Sequence, residues 1–469
     1  MCGVRAARRG WSVRVTDVGR VKCESGIPND VTSTLRRAGG FAVVGTLALA
    51  APSLGAAAFA PFAAVALLAA FVIDDGPLFE LFARPGDRED GRLNGLAGFS
   101  LAATGLALLA TVPRERMPLT VFVATVLILA YGNLGARLVD TQFDDEFIHS
   151  AGFVAAGTLA GTLGQATVVS ITGDPLDLAR FTFIAALGAL VAALLRSALY
   201  ERDDPVVMLT VGIALWGVDW LAGPITPIQT GVSLLLTVAL GYAAYALGTA
   251  SVAGMITGVL LLLVAVGFGG FGWALALASF FGIGALATKF RYDRKAERGV
   301  AEGNEGARGT GNVLGNSAVS LLAVVGFAAM ETIGYQLGSD LFVLAFAGSV
   351  AAAMSDTLSS EIGGLFDNPR LITSFKRVPP GTDGAVTWQG ELAGIGGAGL
   401  VAGIAYVSLP LPIPNSTAAI AILVGGVVGM TVDSLLGATV EGAGLGNQAV
   451  NFLMTLGGAV GAVVAWIPL

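Results

Sequence analysis

The sequence predicts an all-α fold, a polytopic transmembrane helical bundle of about 15 spans (range about 12–16). Three observations predict it. Apolar runs near the length of a bilayer-crossing helix recur from residue 38 to the end. Of the 469 residues only 13% are charged, against about 25% in a soluble domain, and mean hydropathy is +0.77. The 66 glycines, many at small-xxx-small spacing with alanine and serine, suit closely packed membrane helices.

Taken in order, residues 1–37 form a tail. Its first 30 residues hold both cysteines, Cys2 and Cys23, and lack the apolar core of a signal peptide. They read as a mis-assigned start or a disordered tail. Arg36 and Arg37 place that end of the first span inside. Spans follow at 38–56, 58–73, 94–112, 117–133, 150–168, 179–196, 206–222, 229–248, 252–268 and 270–287, then at 312–332, 340–355, 392–409, 416–432 and 448–467. The short runs 58–73 and 340–355 read as re-entrant or broken helices. The chain divides into an N-terminal membrane domain, 38–230, and a C-terminal one, 231–469; a duplication giving two related halves would account for the span number. Starting inside, the long charged loops 74–93, 134–149, 197–205, 249–251, 288–311, 356–391 and 433–447 all face the cytoplasm of a multi-pass cell-membrane protein. Arg114 and Arg116 fall on the other side and count against this scheme.

Net charge is −7 and the pI about 4.9, with lysine only at 22, 289, 295 and 376. Such an acidic, lysine-poor chain fits a high-salt cytoplasm of the halophilic archaeal kind and argues against nucleic-acid binding. Two cysteines make no disulfide framework, and the lone His149 excludes a multi-histidine metal site. No P-loop, dinucleotide fingerprint, zincin helix or nucleophile elbow is present.

The polar residues cluster in the second half. Residues 288–317 carry Lys289, Arg291, Arg294, Lys295, Arg298 and Arg308 among glycines. Such a loop can hold phosphate on backbone N–H groups and guanidinium charge, or can simply link two helical halves. Asn312 and Asn316 follow it, as site residues or as helix–helix glue. Residues 355–386 place Asp356 and Glu361 at a span end. Their spacing sets them about 140° apart on an ideal helix, not strictly on one face; a break at the Ser355–Asp356 junction could bring them together. Two carboxylates can hold Mg²⁺ through water and phosphate oxygens. Lys376 and Arg377 are phosphate-facing candidates, and the turn 379–384, with Gly381 and Thr382, can present backbone N–H groups. Residues 432–453 add Asp433, again at a span end, with Asn447 and Asn451 one turn apart. Three weaker segments remain: Gly132, Asn133, Gly135 and Arg137 ahead of Asp140, Asp144, Asp145 and Glu146; the pair Asp219–Trp220, read as an interface mark; and the mixed-charge stretch from Asp74 to Arg92, read as solvated surface.

The second half, about 235–469, resembles a family of integral membrane proteins that includes the plant phytyl-phosphate kinase. The matching pieces are KAERGVAEGNEGARGTGNVLGN at 295–316, SDTLSSEIG at 355–363, KRVPPGTDGAV at 376–386, and DSLLGATVEG with NQAVNFL at 433–453, in order and at matching spacing. The resemblance implies transfer of phosphate from CTP or another NTP, with Mg²⁺, to an isoprenyl monophosphate of the phytyl or geranylgeranyl type. Carried over, Asp356, Glu361 and Asp433 would be the catalytic carboxylates, with Asp356 and Asp433 on the Mg²⁺. Lys295, Arg298, Arg308, Lys376 and Arg377 would bind phosphates. Asn312, Asn316, Gly381, Thr382, Asn447 and Asn451 complete the candidate phosphate-binding set. Leu358 stands where the family often has tryptophan, Ala385 replaces a second glycine and Glu441 a glutamine; these departures bear on substrate more than on fold. The first half, about 90–225, resembles at a distance the dolichol-kinase and CDP-diglyceride-synthase group, through YGNLGARLVD and GTLAGTLGQ. Asn133 there replaces the aspartate, which implies a degenerate copy without catalysis.

Two other readings compete with a lipid kinase. An ion-coupled transporter would use Asp356 and Glu361, but calls for carboxylates near the midplane between inverted repeats. A membrane scaffold would need none of these residues.

Overall fold

A computed structural model of the protein describes residues 29–112, 114–199, 204–301, 307–440 and 444–467. Cys2 and Cys23, the acidic residues Glu302 and Glu305, and Glu441 lie outside the described residues. The first half runs α1 (Asn29–Gly45), α2 (Ala51–Leu54), α3 (Ala60–Phe71), α4 (Gly76–Phe82), α5 (Pro85–Asp90), α6 (Asn94–Thr111), α7 (Leu119–Val139), α8 (Glu146–Thr172), α9 (Leu178–Ala198) and α10 (Asp204–Leu221). The second runs α11 (Pro227–Ala246), α12 (Val252–Gly269), α13 (Phe271–Lys289), α14 (Tyr292–Glu297), α15 (Thr310–Ile333), α16 (Gln336–Gly363), β1 (Arg370–Leu371), β2 (Ala385–Val386), α17 (Trp388–Ser408), α18 (Asn415–Thr439) and α19 (Asn447–Trp466).

Among the described residues 14 helices are long and apolar enough to cross a membrane, and α3 with α4, bent by 103°, brings the total to 15 as one broken span. The run 58–73 is thus broken. With 12 residues, α3 is about 18 Å long, too short for a hydrocarbon core of about 30 Å. The run 340–355 is different: it is the middle of α16, one unbroken helix of 28 residues. No kink separates Ser355 from Asp356, because no proline or glycine interrupts the helix there and the Ser355 hydroxyl bonds outward, to Met430 Sδ at 3.3 Å.

Two helices act as hubs. The most apolar windows of α7 and α16 are each 72% buried, more than in any other span. Packing around them depends on small residues, since lipid offers no hydrophobic drive for helices to associate. A Cβ added at Gly135 would stand 2.3 Å from Ala156 Cβ, tying α7 to α8. Gly348, Gly425 and Gly458 bring α16, α18 and α19 equally close. The halves are not separate bodies. α12 packs on α9, the Cβ position of Gly267 lies 2.2 Å from the Phe183 ring, and one apolar core runs from Phe41 to Ile422.

The polar loops share one face, as bonds between them show. Arg84, after α4, pairs with Asp204 at 2.6 Å, and Tyr245 donates its hydroxyl to Asp145 at 2.9 Å. Arg308 N–H donates to Thr249 O at 2.9 Å, and Lys295 pairs with Glu361. The stretch 74–92 is not wholly solvated surface. Asp87 is buried, accepting from Arg84 N–H at 3.0 Å and Gly95 N–H at 3.2 Å. On the opposite face Arg180 holds Asp219 and the carbonyls of Ala222 and Gly223, while Trp220 stays exposed.

Candidate active site

A polar cleft of about 490 Å³ opens on that shared face between α16, α18 and the loop 364–387. Asp356 and Asp433 meet in it. α16 and α18 run in the same direction, and Gly429 of α18 packs on Ala352 of α16, its Cβ position 2.3 Å from Ala352 Cβ. One helical turn further along each helix stands an aspartate. The two carboxyl groups come within hydrogen-bond range of each other, and Asp383 from the loop adds negative charge beside Asp433.

Carboxylates this close repel unless a proton or a cation lies between them. An all-oxygen pair in a roomy polar cleft fits Mg²⁺, which takes one or two carboxylates and completes its shell with water and phosphate oxygens. Among the described residues no group of three His, Cys, Asp or Glu side chains surrounds one point, so an all-protein cage is not offered.

The loop is held in place by backbone chemistry. β1 pairs antiparallel with β2, Arg370 opposite Val386 and Leu371 opposite Ala385. Gly384 has φ +72°, and a Cβ there would meet Ala438 N at 2.4 Å, so only glycine lets the loop lie on α18. Gly381, at φ +79°, and Thr382 line the cleft; the Thr382 hydroxyl donates to Pro379 O at 2.8 Å. Asn447, from the start of α19, lines the other side.

Several predicted residues lie elsewhere. Glu361 points away from Asp356 and accepts from Lys295 Nζ at 2.5 Å. Lys295 is 1% exposed, and its other donors go to Ala287 O at 3.0 Å and Thr288 O at 2.7 Å. All three ammonium hydrogens are thereby used, closing the C-terminal end of α13, so this pair is a buried strut rather than a phosphate ligand and an acid. Arg298 donates to Asp367 Oδ1 and Phe366 O, both at 2.8 Å, and so anchors the loop after α16. Lys376 and Arg377 sit exposed beyond β1, outside the cleft lining. Asn316 is buried and donates to Asn312 O at 3.0 Å; with Asn451, also buried, it belongs to the α15–α19 contact. Arg308 stacks over Phe280, its guanidinium carbon 5.6 Å from the ring centroid, and reaches α13 beside Thr357. Asp383, Ser434, Ser359 and Ser360, none of them a candidate from sequence, also line the cleft. An acid inside the 379–384 turn was the available signal; nothing marked the serines.

The first half has its own polar cavity at this face, of about 40 Å³. Its lining carboxylate, Asp204, is bonded to both Arg84 and Arg196, and Asn133 borders it with a buried Oδ1 lacking a hydrogen-bond partner among the described residues. Nearby Asp140 accepts from Arg137 and contacts His149 Nδ1 at 2.8 Å. Asp145 caps α8 through Ile148 N–H, and this bond, with the Tyr245 hydroxyl, holds its carboxyl below the ordinary carboxylate range.

Residues 235–459 match the family model described as integral membrane protein DUF92. An uncharacterized membrane protein of Methanocaldococcus jannaschii is 36% identical over 200 residues, 42% of this chain and 78% of that one. The chain belongs to the DUF92 family. A second relative, Protein VTE6, chloroplastic, of Arabidopsis thaliana, is 33% identical over 195 residues, 40% of this chain and 57% of that one. An uncharacterized membrane protein of Synechocystis is 31% identical over 213 residues, 44% of this chain and 78% of that one. No solved structure matches. The DUF92 match begins inside α11 and takes in the whole cleft, and the first half precedes it.

Proposed function

We propose that the protein is a prenyl-phosphate kinase, converting an isoprenyl monophosphate of the phytyl or geranylgeranyl type to the diphosphate with CTP or another NTP as donor. The meeting of Asp356 and Asp433 in a polar cleft at the membrane face carries this reading. A phosphate oxygen of the acceptor attacks the donor's γ-phosphorus, the bond to the β,γ-bridging oxygen breaks, and the nucleoside diphosphate leaves. The acceptor is already ionised near neutral pH, so no strong base is required. Bound Mg²⁺ offsets charge on the transferring group. Asp356 and Asp433 hold the cation site, while Thr382 and the backbone of the 379–384 turn orient phosphate oxygens from the wall. Both aspartates stand at the polar ends of their spans, which favours chemistry at the face over transport through the midplane. The motif loops then face the cytoplasm, where nucleotide is supplied.

The test incubates purified full-length protein in high salt with Mg²⁺, CTP and geranylgeranyl phosphate and measures the diphosphate. Asp356→Asn and Asp433→Asn are each expected to lower turnover by about a hundredfold or more while melting like the parent. Folded parent protein that phosphorylates no prenyl monophosphate with any nucleoside triphosphate would sink the reading.

A further inference from the structure

In the second half α11, α12 and α13 enclose an apolar groove of about 340 Å³, lined by Leu240, Met255, Val259, Leu262, Phe281 and Leu286. Lys289 and Arg308 stand at its polar end. We propose that this groove binds the isoprenoid chain of the acceptor, with Arg308 taking its phosphate at the groove mouth; the assignment rests on the kinase reading.

Four observations carry it. Along α13 the lining runs from Lys289 to Ala278, about 16 Å of helix, so the groove descends far into the hydrocarbon layer. Its walls are apolar and, among the described residues, its only cations are at the top, which complements a molecule with a hydrocarbon tail and an anionic head. Leu247 and Leu286, 67% and 70% exposed, flank the groove, and α11 is the least buried span at 17%, so the opening faces lipid. Finally, Arg308 reaches from the groove toward α16, the helix that carries Asp356. Its Nη atoms lie 3.2 and 3.3 Å from the Cβ position of Gly284, and Thr357, next to Asp356 on α16, is 3.5 Å from that same point. Segment 307–309 is itself fixed: Arg308 O accepts from Ser251 N–H at 3.1 Å, and Gly254 leaves room for that carbonyl.

Two glycines make the groove testable. Gly258 and Gly282 line it, and an added Cβ at either meets no atom within 4 Å. Gly258→Leu with Gly282→Leu therefore puts bulk into the groove from Cβ positions that meet no atom, and improves helix propensity. The full-length protein in lipid nanodiscs is photolabelled with a geranylgeranyl monophosphate analogue bearing a diazirine at the distal end. Labels are expected on α12 and α13 within 255–286, competed by unlabelled geranylgeranyl phosphate and not by phosphatidylglycerol. The filled variant should lose about tenfold or more of this labelling, and its KM for the long-chain acceptor should rise as much. Its KM for isopentenyl phosphate and for CTP should not change. Labelling elsewhere, equal competition by phosphatidylglycerol (a bilayer-lipid groove only), or an unaltered filled variant each overturns the proposal. Groove labelling competed by the prenyl phosphate, in a parent protein that makes no diphosphate, upholds the site and removes the kinase reading instead. Diphosphate production with labels outside the groove does the reverse.

Discussion

Lys295 shows what a side chain can hide in a sequence. Its place in a basic, glycine-rich segment marks it as a phosphate ligand, yet it is buried against Glu361 and the end of α13. Nothing in the local pattern reveals that, because the partner lies 66 residues away and burial is set by packing. Breaking a buried ion pair on one side leaves the other charge stranded. Lys295→Met should therefore cost about 3–5 kcal/mol, with much of the loss recovered when Glu361→Leu is added. Chemical denaturation of the purified variants in one detergent measures both. A Lys295→Met protein as stable as the parent would return Lys295 to the list of phosphate ligands. Asp356 and Asp433 were legible for the opposite reason: a carboxylate at a span end is costly to keep, so its presence is itself a signal.

At the level of elements, α16 and α18 set the distance between the two aspartates through the contact of Gly429 with Ala352. A methyl added at 429 must push the helices apart by the width it occupies. Gly429→Ala is expected to destabilise by about 1–3 kcal/mol and to lower phosphoryl transfer far more than its stability loss explains. Moving the methyl across the interface, with Ala352→Gly in the same chain, should restore both. Melting and initial rates on the single and double variants decide; a double variant no better than the single one would refute the spacing role. Span positions were readable from hydropathy, but the two short runs were not resolved by length alone. Run 58–73 breaks after Phe71 and resumes at Gly76, whereas polar Ser355 and Asp356 sit inside an unbroken helix that carries them to the membrane face. Hydropathy falls at both places, and only the packing of α18 on α16 tells them apart.

For the whole molecule, the ordered second-half motifs identified the family, while the part played by the first half was not legible. The structure joins the halves through one continuous core, so a single shared unfolding transition is expected. Asp204→Ala, which removes the carboxylate that Arg84 and Arg196 share in the first half, should lower the same single melting transition that Lys295→Met lowers in the second. Differential scanning calorimetry showing two transitions, each moved by only one of the variants, would make the halves independent units.

The exposed flank of the groove at Leu247 and Leu286 also sets the dimensionality of supply. A molecule entering there travels in two dimensions, and its encounter rate follows its mole fraction in the bilayer. A molecule entering the polar cleft comes from three-dimensional solution and obeys bulk concentration. On the proposed kinase reading, one catalytic event joins a surface reactant to a volume reactant, and extra inert lipid dilutes only the first.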